Sequence, residues 1–425
     1  MQQNNTPQAR GIRAWLPIIG LAFAAFVFNT SEFLPVGLLT DMAHSLGESV
    51  PQMGLVITGY AWIVAVMSLP LTILTAKLER KKLLLALIAL FAFCHFAVLH
   101  VATFGALFAT RAGVALAHSI FWSIMTPLAA RMAPHGKRGV GLACVMGGSI
   151  VATVLGVPIG TQLGIWVGWQ YAFFTIGVGA ALLFVVIALV LPRCQSRQAG
   201  SLSSLPKILR RPALLELYFL TATVVLAHYT TYSYISPILA QVGGYSSNAI
   251  VFILFVFGIS GIIGTFAGGY AVDHFASACL VVPIALVASS LALLVPSLSF
   301  EGSAVVLVIV WSASMTALCM AFQTKLLDVA SDAADVATSL YSGIFNIGIG
   351  GGAFVGSILS NMHLAEQNFL PLPFIASCVA FCALLATLMI WKTKGQALFP
   401  YETANSPLHT QKGEEVDFSK RQSPN

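Results

Sequence analysis

The chain has 425 residues, of which 58% are hydrophobic and 8% charged, against about 25% charged in an ordinary soluble domain. Such a composition is that of a membrane protein and not of a soluble domain. The net charge of +6 has to be read from where the charges fall, because a basic sum alone would suggest nucleic acid. Apolar runs of roughly 20 residues, each able to cross a hydrocarbon core of about 30 Å, recur along the whole length. They lack two-residue alternation, and lipid admits only helices or closed barrels. The chain is therefore predicted to be an all-α membrane protein.

Twelve transmembrane helices are predicted, near residues 15–40, 52–75, 83–102, 104–130, 139–164, 169–191, 213–240, 248–271, 276–296, 303–326, 336–360 and 368–391. The first is too long for a signal-peptide core and has no clean small-residue cleavage site, so it is expected to stay in the mature protein. Arg10 and Arg13 precede span 1, Lys77, Arg80, Lys81 and Lys82 follow span 2, and Arg131, Lys137 and Arg138 follow span 4. Arg193, Arg197, Lys207, Arg210 and Arg211 fill a central linker, while the alternate connections carry Asp41, Glu48, Glu301 and Glu366 without Lys or Arg. This is the positive-inside bias, and it places both termini in the cytoplasm. The expected organisation is a cytoplasmic tail (1–14), a six-helix bundle (15–191), a linker (192–212), a second bundle (213–391) and a disordered cytoplasmic tail (392–425).

Span 1 carries the first anomaly, Glu32 within "FVFNTSEFLPVGLLTD". An intramembrane charge is by default a functional hypothesis with a partner to be named. Counted from Asp41, Glu32 lies roughly 13 Å below the outer surface, and Arg111 in span 4 lies about 10 Å deep by the same rule. Arg111, Ala115, His118 and Trp122 share one helical stripe, which reads as a cavity wall. Glu32 then has three readings: a proton carrier, a substrate-positioning group, or half of a permanent ion pair with Arg111 pinning two helices. Buried pairs stabilise poorly, which disfavours the last. His118 either titrates or donates a hydrogen bond to a neighbouring helix, and His95 is read as packing.

Further along, span 5 contains "GVPIGTQLG", with Gly156, Pro158, Gly160 and Gly164, and span 11 contains "NIGIGGGAFVG", with Gly348, Gly352 and Gly356. Small residues at this spacing let helix backbones approach, and their recurrence in both halves suggests an internal repeat with a site between the copies. Span 7 holds "AHYTTYSYISP", where His228 and Tyr232 share a face and Thr231 and Tyr234 extend it. Tyrosine offers an apolar ring with a hydroxyl at its edge, which suits a sugar, although an interfacial tyrosine belt reads the same way. Trp311 and Asn346 are further cavity candidates. Glu216 and Lys325 are expected at solvated cytoplasmic ends, and Asp328, Asp332 and Asp335 as helix caps or gate contacts. Cys378 and Cys382 share a face but lack His or acid neighbours, so packing rather than a metal is expected.

"NTSEFLPVGLL" in span 1, "RAGVALAHSIFWS" in span 4, "GVPIG" in span 5 and "AHYTTYSYISP" in span 7 resemble the major facilitator superfamily, in its drug:proton antiporter-1 group, and most of all the bacterial sugar efflux transporters of the SotB type. The resemblance runs from span 1 to span 12. It implies two pseudo-symmetric six-helix bundles, with spans 1 and 4 both lining the cavity of the first half. It also implies proton-coupled efflux of small sugars or sugar-like solutes across a bacterial inner membrane, by a monomer needing no cofactor beyond the proton gradient and no nucleic acid. On that reading Glu32, Arg111 and His118 couple the proton. Asn29, Trp122, His228, Thr231, Tyr232, Trp311 and Asn346 meet the substrate, and Arg80, Lys81, Asp273, Gly156, Pro158 and Gly160 serve gating and packing. A multidrug antiporter of the same fold is the alternative.

The sequence also departs from the family pattern. After span 2 the family expects glycine, acid and glycine before its basic residues, and this chain has Thr72, Ala76 and Glu79 there, keeping Arg80 and Lys81. The second-half copy "GGYAVDH" keeps Gly269 and Asp273 but has His274 where a basic residue is usual, and Gln170 stands where span 6 often opens with arginine. The cytoplasmic latch is thus expected to depend more on the Asp273 side. A membrane-embedded enzyme would need an HExxH or paired intramembrane aspartates, and neither is present. A channel would need a ring of equivalent residues rather than one broken-symmetry charge pair.

Overall fold

The computed structural model describes residues 14–134, 137–195, 205–275, 278–330, 332, 334–361 and 368–394. Residues 1–13 and 395–425 of the expected tails, 196–204 of the central linker and Glu366 lie outside the described residues, as do the side chains of Glu301 and Asp335. Among the described residues, twelve helices are long and apolar enough to cross a membrane. They are α1 (Leu16–Leu46), α2 (Val50–Leu74), α3 (Arg80–Ala97), α4 (Phe104–Met132), α5 (Arg138–Val167), α6 (Trp169–Val190), α7 (Pro212–Tyr232), α8 (Ser247–His274), α9 (Ala278–Ser297), α10 (Glu301–Val329), α11 (Ala334–Asn361) and α12 (Pro371–Lys394).

Packing repeats between the halves. In the first half α1 packs on α5, α2 on α4 and α3 on α6, and in the second α7 packs on α11, α8 on α10 and α9 on α12. The glycine series explains the first of these pairings in each half. A Cβ at Gly156, Gly160 or Gly164 would run into Thr30, Leu34 or Leu38 of α1. A Cβ at Gly348, Gly352 or Gly356 would run into Val225, the Leu226 and Thr230 backbone, or Tyr234 and the Thr230 carbonyl. Each series is a groove that receives the partner helix.

Proline sets where helices bend or break. Span 7 is expected as one helix over 213–240, but α7 ends at Tyr232 and the chain restarts as short turns over Ile235–Pro237 and Ile238–Val242. Pro237 cannot donate to the carbonyl four residues back, and its ring crowds that carbonyl, so the helix gives way at Ser233. In α5 the π-turn Ala152–Gly156 ends beside Pro158, for the same reason.

The halves meet through α2 with α11 and α5 with α8. The end of the molecule opposite the start of α1 and the end of α12, the distal end, is sealed. There Ser357 Oγ donates to the Pro51 carbonyl at 2.8 Å and Ser236 Oγ to the Gly37 carbonyl at 3.4 Å. Tyr234, fully buried, donates to the Ala353 carbonyl at 2.8 Å and is wedged between Gly54 and Gly356. Among the described residues α4 and α10, which approach the other end, do not form a packed pair.

Candidate functional site

The polar site of the first half begins with a proline. Pro35 lies inside α1 and has no N–H for the carbonyl of Ser31, four residues earlier. That freed carbonyl accepts from Arg111 Nη2 at 3.0 Å, while Ser31 Oγ accepts from Arg111 Nη1 at 3.0 Å. One residue of α1 thus holds both arms of a guanidinium from α4. The cation also lies 4.7 Å from the Tyr60 ring centroid and 5.3 Å from that of Phe173, a favourable setting for a buried charge.

Ser31 reaches a second partner, His95 of α3, through an Oγ–Nε2 contact of 2.8 Å. His95 Nδ1 lies 2.7 Å from the Phe91 carbonyl. A carbonyl only accepts, so Nδ1 carries the hydrogen and Nε2 accepts from the Ser31 hydroxyl. His95 is expected as packing, and the structure corrects this: it is buried and hydrogen-bonded into the charged site through both ring nitrogens.

Glu32, the next residue on α1, turns into a cleft lined also by Tyr60, Arg111, Tyr229 and Ile349. Its Oε2 stands 3.6 Å from His118 Nε2, and His118 Nδ1 lies 2.8 Å from the Tyr60 hydroxyl. With Tyr60 donating to Nδ1, the Nε2–H faces the carboxylate. The pairing therefore differs from the sequence expectation. Glu32 and Arg111 share a cleft but form no ion pair, because Pro35 offers the guanidinium a carbonyl that an uninterrupted helix would not. Trp122 lies 6.3 Å from the His118 ring, and Asn29 is buried one turn before Glu32.

The second half contributes an aromatic box. His228 stacks on Tyr232 with centroids 5.1 Å apart and meets Trp311 edge-on at 5.2 Å, and Phe257 closes on Tyr232 and Trp311 at 4.8 and 5.4 Å. His228 Nδ1, Thr231 Oγ1, Trp311 Nε1 and Asn346 Oδ1 are buried without a hydrogen-bond partner, whereas most buried polar atoms in native proteins have one. Asn346 spends its amide on the Ser342 carbonyl at 3.0 Å. Tyr234 is not part of the box, since it belongs to the distal seal.

At the terminal end of the molecule, Arg80 donates to the Thr75 and Ala76 carbonyls at 3.4 Å each, and Lys81 to Ala188 at 2.7 Å. Glu79 caps α3 through the Lys81 and Lys82 amides and accepts from the Cys194 amide at 2.6 Å. Partial burial opposes its ionisation, but these three N–H donors and the Lys82 charge hold the carboxyl below its ordinary range. Asp273 is exposed. Asp332 pairs with Arg211 at 2.6 Å, and Asp328 is exposed. Lys325 is expected to be solvated but is 1% exposed. Its ammonium is buried together with its apolar stem, so the side chain runs into the packed interior instead of out to solvent. Cys378 and Cys382 are exposed, and among the described residues no cluster of metal-ligating side chains occurs.

Residues 21–356 match the sequence pattern of the Major Facilitator Superfamily. The chain belongs to that superfamily. It is a multi-pass membrane transporter rather than an enzyme, and its fold recurs in solved structures of low identity. A bacterial homologue of the human lysosomal transporter Spinster, in an inward-facing and unoccupied conformation, is 14% identical with a TM-score of 0.68, over 92% of this chain and 97% of that one. The nucleoside transporter NupG is 15% identical with a TM-score of 0.71, over 89% of this chain and all of the other. A D-xylose–proton symporter is 14% identical with a TM-score of 0.70, over 90% and 97%.

Sequence reasoning missed Ser31, Tyr60 and His95 as members of the site. A proline four residues after Ser31 was a usable signal for the first. Nothing local marks Tyr60 or His95, which join only because α2 and α3 pack against α4.

Proposed function

We propose that this transporter exports small sugars or sugar-like solutes from a bacterial cell in exchange for protons, by alternating access between its two bundles. It would sit in the inner membrane with tails 1–14 and 392–425 and linker 192–212 in the cytoplasm, so that the distal seal closes the outer side and the cavity opens inward. The observation that carries the coupling is Glu32, a carboxylate placed in a cleft between the bundles and facing the His118 imidazole at 3.6 Å instead of pairing with the Arg111 guanidinium. A carboxyl so placed, with no fixed cation paired to it, can take up or release a proton according to which side the cleft faces. His118 and Tyr60 extend it as a relay. Arg111 supports the ionised state from nearby, and no cofactor is invoked.

Substrate would lie between Glu32 and the aromatic box. Ring faces of Tyr232, Phe257 and Trp311 suit the C–H face of a pyranose or furanose, and the unpartnered atoms on His228, Thr231, Trp311 and Asn346 suit its hydroxyls. The sugar class rests on that chemistry together with the sequence resemblance to SotB-type exporters. Arg80, Lys81 and Asp273 would form the inner latch when the cavity closes.

The test is accumulation of labelled arabinose by inside-out vesicles with an acidic lumen. Uptake that a protonophore abolishes supports sugar export. Failure to move sugar together with extrusion of a lipophilic cation would replace the sugar by amphipathic drugs.

A further inference from the structure

We propose that Ser31 is a docking point that holds Arg111 away from Glu32 in this state, opened by Pro35 and oriented by His95. It deepens the proton-coupling reading above. Arg111 and Glu32 line one cleft, and two opposite charges there would be expected to pair. They do not, because the guanidinium has two better-placed acceptors on the residue preceding Glu32.

Three features build the dock. Pro35 removes the N–H that would occupy the Ser31 carbonyl, which is then free for Nη2 at 3.0 Å. His95 supplies a hydrogen-bond acceptor for the Ser31 hydroxyl at 2.8 Å, turning the Oγ lone pairs toward Nη1 at 3.0 Å. His95 is itself oriented by the Phe91 carbonyl at 2.7 Å. The rings of Tyr60 and Phe173 bracket the cation, and Phe173 lies 6.1 Å from the His95 ring as well. Close approach of α3 is built in: a Cβ at Gly177 of α6 or Gly113 of α4 would meet His95 and Cys94 respectively.

The dock leaves Arg111 Nε buried and without a partner, so the guanidinium has a spare donor while docked. Glu32 meanwhile faces His118. Ser31 and His95 are thus positioning residues. They keep the cation from fixing the carboxylate as an ion, which leaves Glu32 able to exchange its proton with the cavity. Release of the dock would let Arg111 pair with Glu32 and lock it ionised.

The experiment uses the full-length chain in nanodiscs with ¹⁵N-labelled arginine. The Arg111 Nη–H signals are identified by their loss in Arg111→Lys, and their exchange with solvent is measured in Ser31→Ala, Pro35→Ala, His95→Gln and His95→Asn. A glutamine amide reaches the place of Nε2 and keeps the acceptor, whereas asparagine reaches only the place of Nδ1. The expected result is slow exchange in the wild type and His95→Gln, faster by roughly tenfold in Ser31→Ala and His95→Asn, as loss of a charge-assisted hydrogen bond implies. In Pro35→Ala only the Nη2 signals should accelerate. Unchanged exchange in both Ser31→Ala and His95→Asn overturns the dock, and equal acceleration in His95→Gln and His95→Asn overturns the role given to His95. This readout does not depend on transport. Glu32→Gln that retains gradient-driven uptake would sink the coupling reading while leaving the dock to stand on the Arg111 signals.

Discussion

Replacing Gly54 by alanine should open the distal seal. An alanine Cβ there would overlap the Tyr234 hydroxyl and come within 2.6 Å of ring carbon Cζ. The ring cannot retreat, because Gly356 receives its other edge, its hydroxyl is tied to Ala353, and it is fully buried. Overpacking of this kind costs about 1–3 kcal/mol, and displacing the hydroxyl from its carbonyl adds about 1 kcal/mol. Both costs fall on the sealed state alone, since Tyr234 and Gly54 belong to different bundles. The ratio of open to sealed molecules should therefore rise between about thirtyfold and several hundredfold. Electron–electron distance measurements between spin labels at His44 and Asn248, both exposed near the distal end, would read the change in a cysteine-free background. Gly343→Ala is the control, because its Cβ would meet only the Ala65 carbonyl at 3.7 Å, an ordinary contact on the same α2–α11 seam. An unchanged distance in Gly54→Ala, or an equal shift in Gly343→Ala, would refute the argument.

Three further outcomes are expected. Trp311→Phe keeps the ring in the box but removes a buried, unpartnered N–H, so thermal stability in detergent should hold or rise by about 1 kcal/mol while sugar affinity by calorimetry falls roughly tenfold; an unaltered affinity removes Trp311 from the site. Glu79→Gln weakens the acceptor for the Cys194 amide, and hydrogen exchange at that amide should quicken by roughly fivefold, taking about 1 kcal/mol for a partly exposed charged hydrogen bond. Because the folded Glu79 carboxyl sits below its ordinary value, its stabilising contribution is present above that value and lost as pH falls through the folded one. The melting difference between wild type and Glu79→Gln should accordingly be seen at neutral pH and shrink as the pH falls below the ordinary glutamate range; full persistence in strong acid would count against it.

Much of the fold was legible because lipid leaves so few options. A run of apolar residues long enough to span can hardly be anything but a helix, and the two glycine series announced close helix contacts in each half, though not that α1 and α7 are the partners. What stayed hidden was the partnering of charges. Depth along a helix put Glu32 and Arg111 at one level, but the choice of Ser31 over Glu32 depends on one missing N–H at Pro35 and on the position of α3. Lys325 misled for a related reason: proximity to a helix end says nothing about which way the side chain lies. The break after Tyr232 was readable from Pro237, which belongs at a helix start or outside a helix.

Glu32 is the residue proposed to carry the coupled proton. Purified wild type and Glu32→Gln in proteoliposomes should be compared for labelled-sugar exchange at equal pH on both sides and for accumulation against a sugar gradient under an imposed pH difference. Glu32→Gln should exchange sugar but no longer accumulate it. Accumulation by Glu32→Gln at the wild-type level would contradict the account and move the proton elsewhere in the chain.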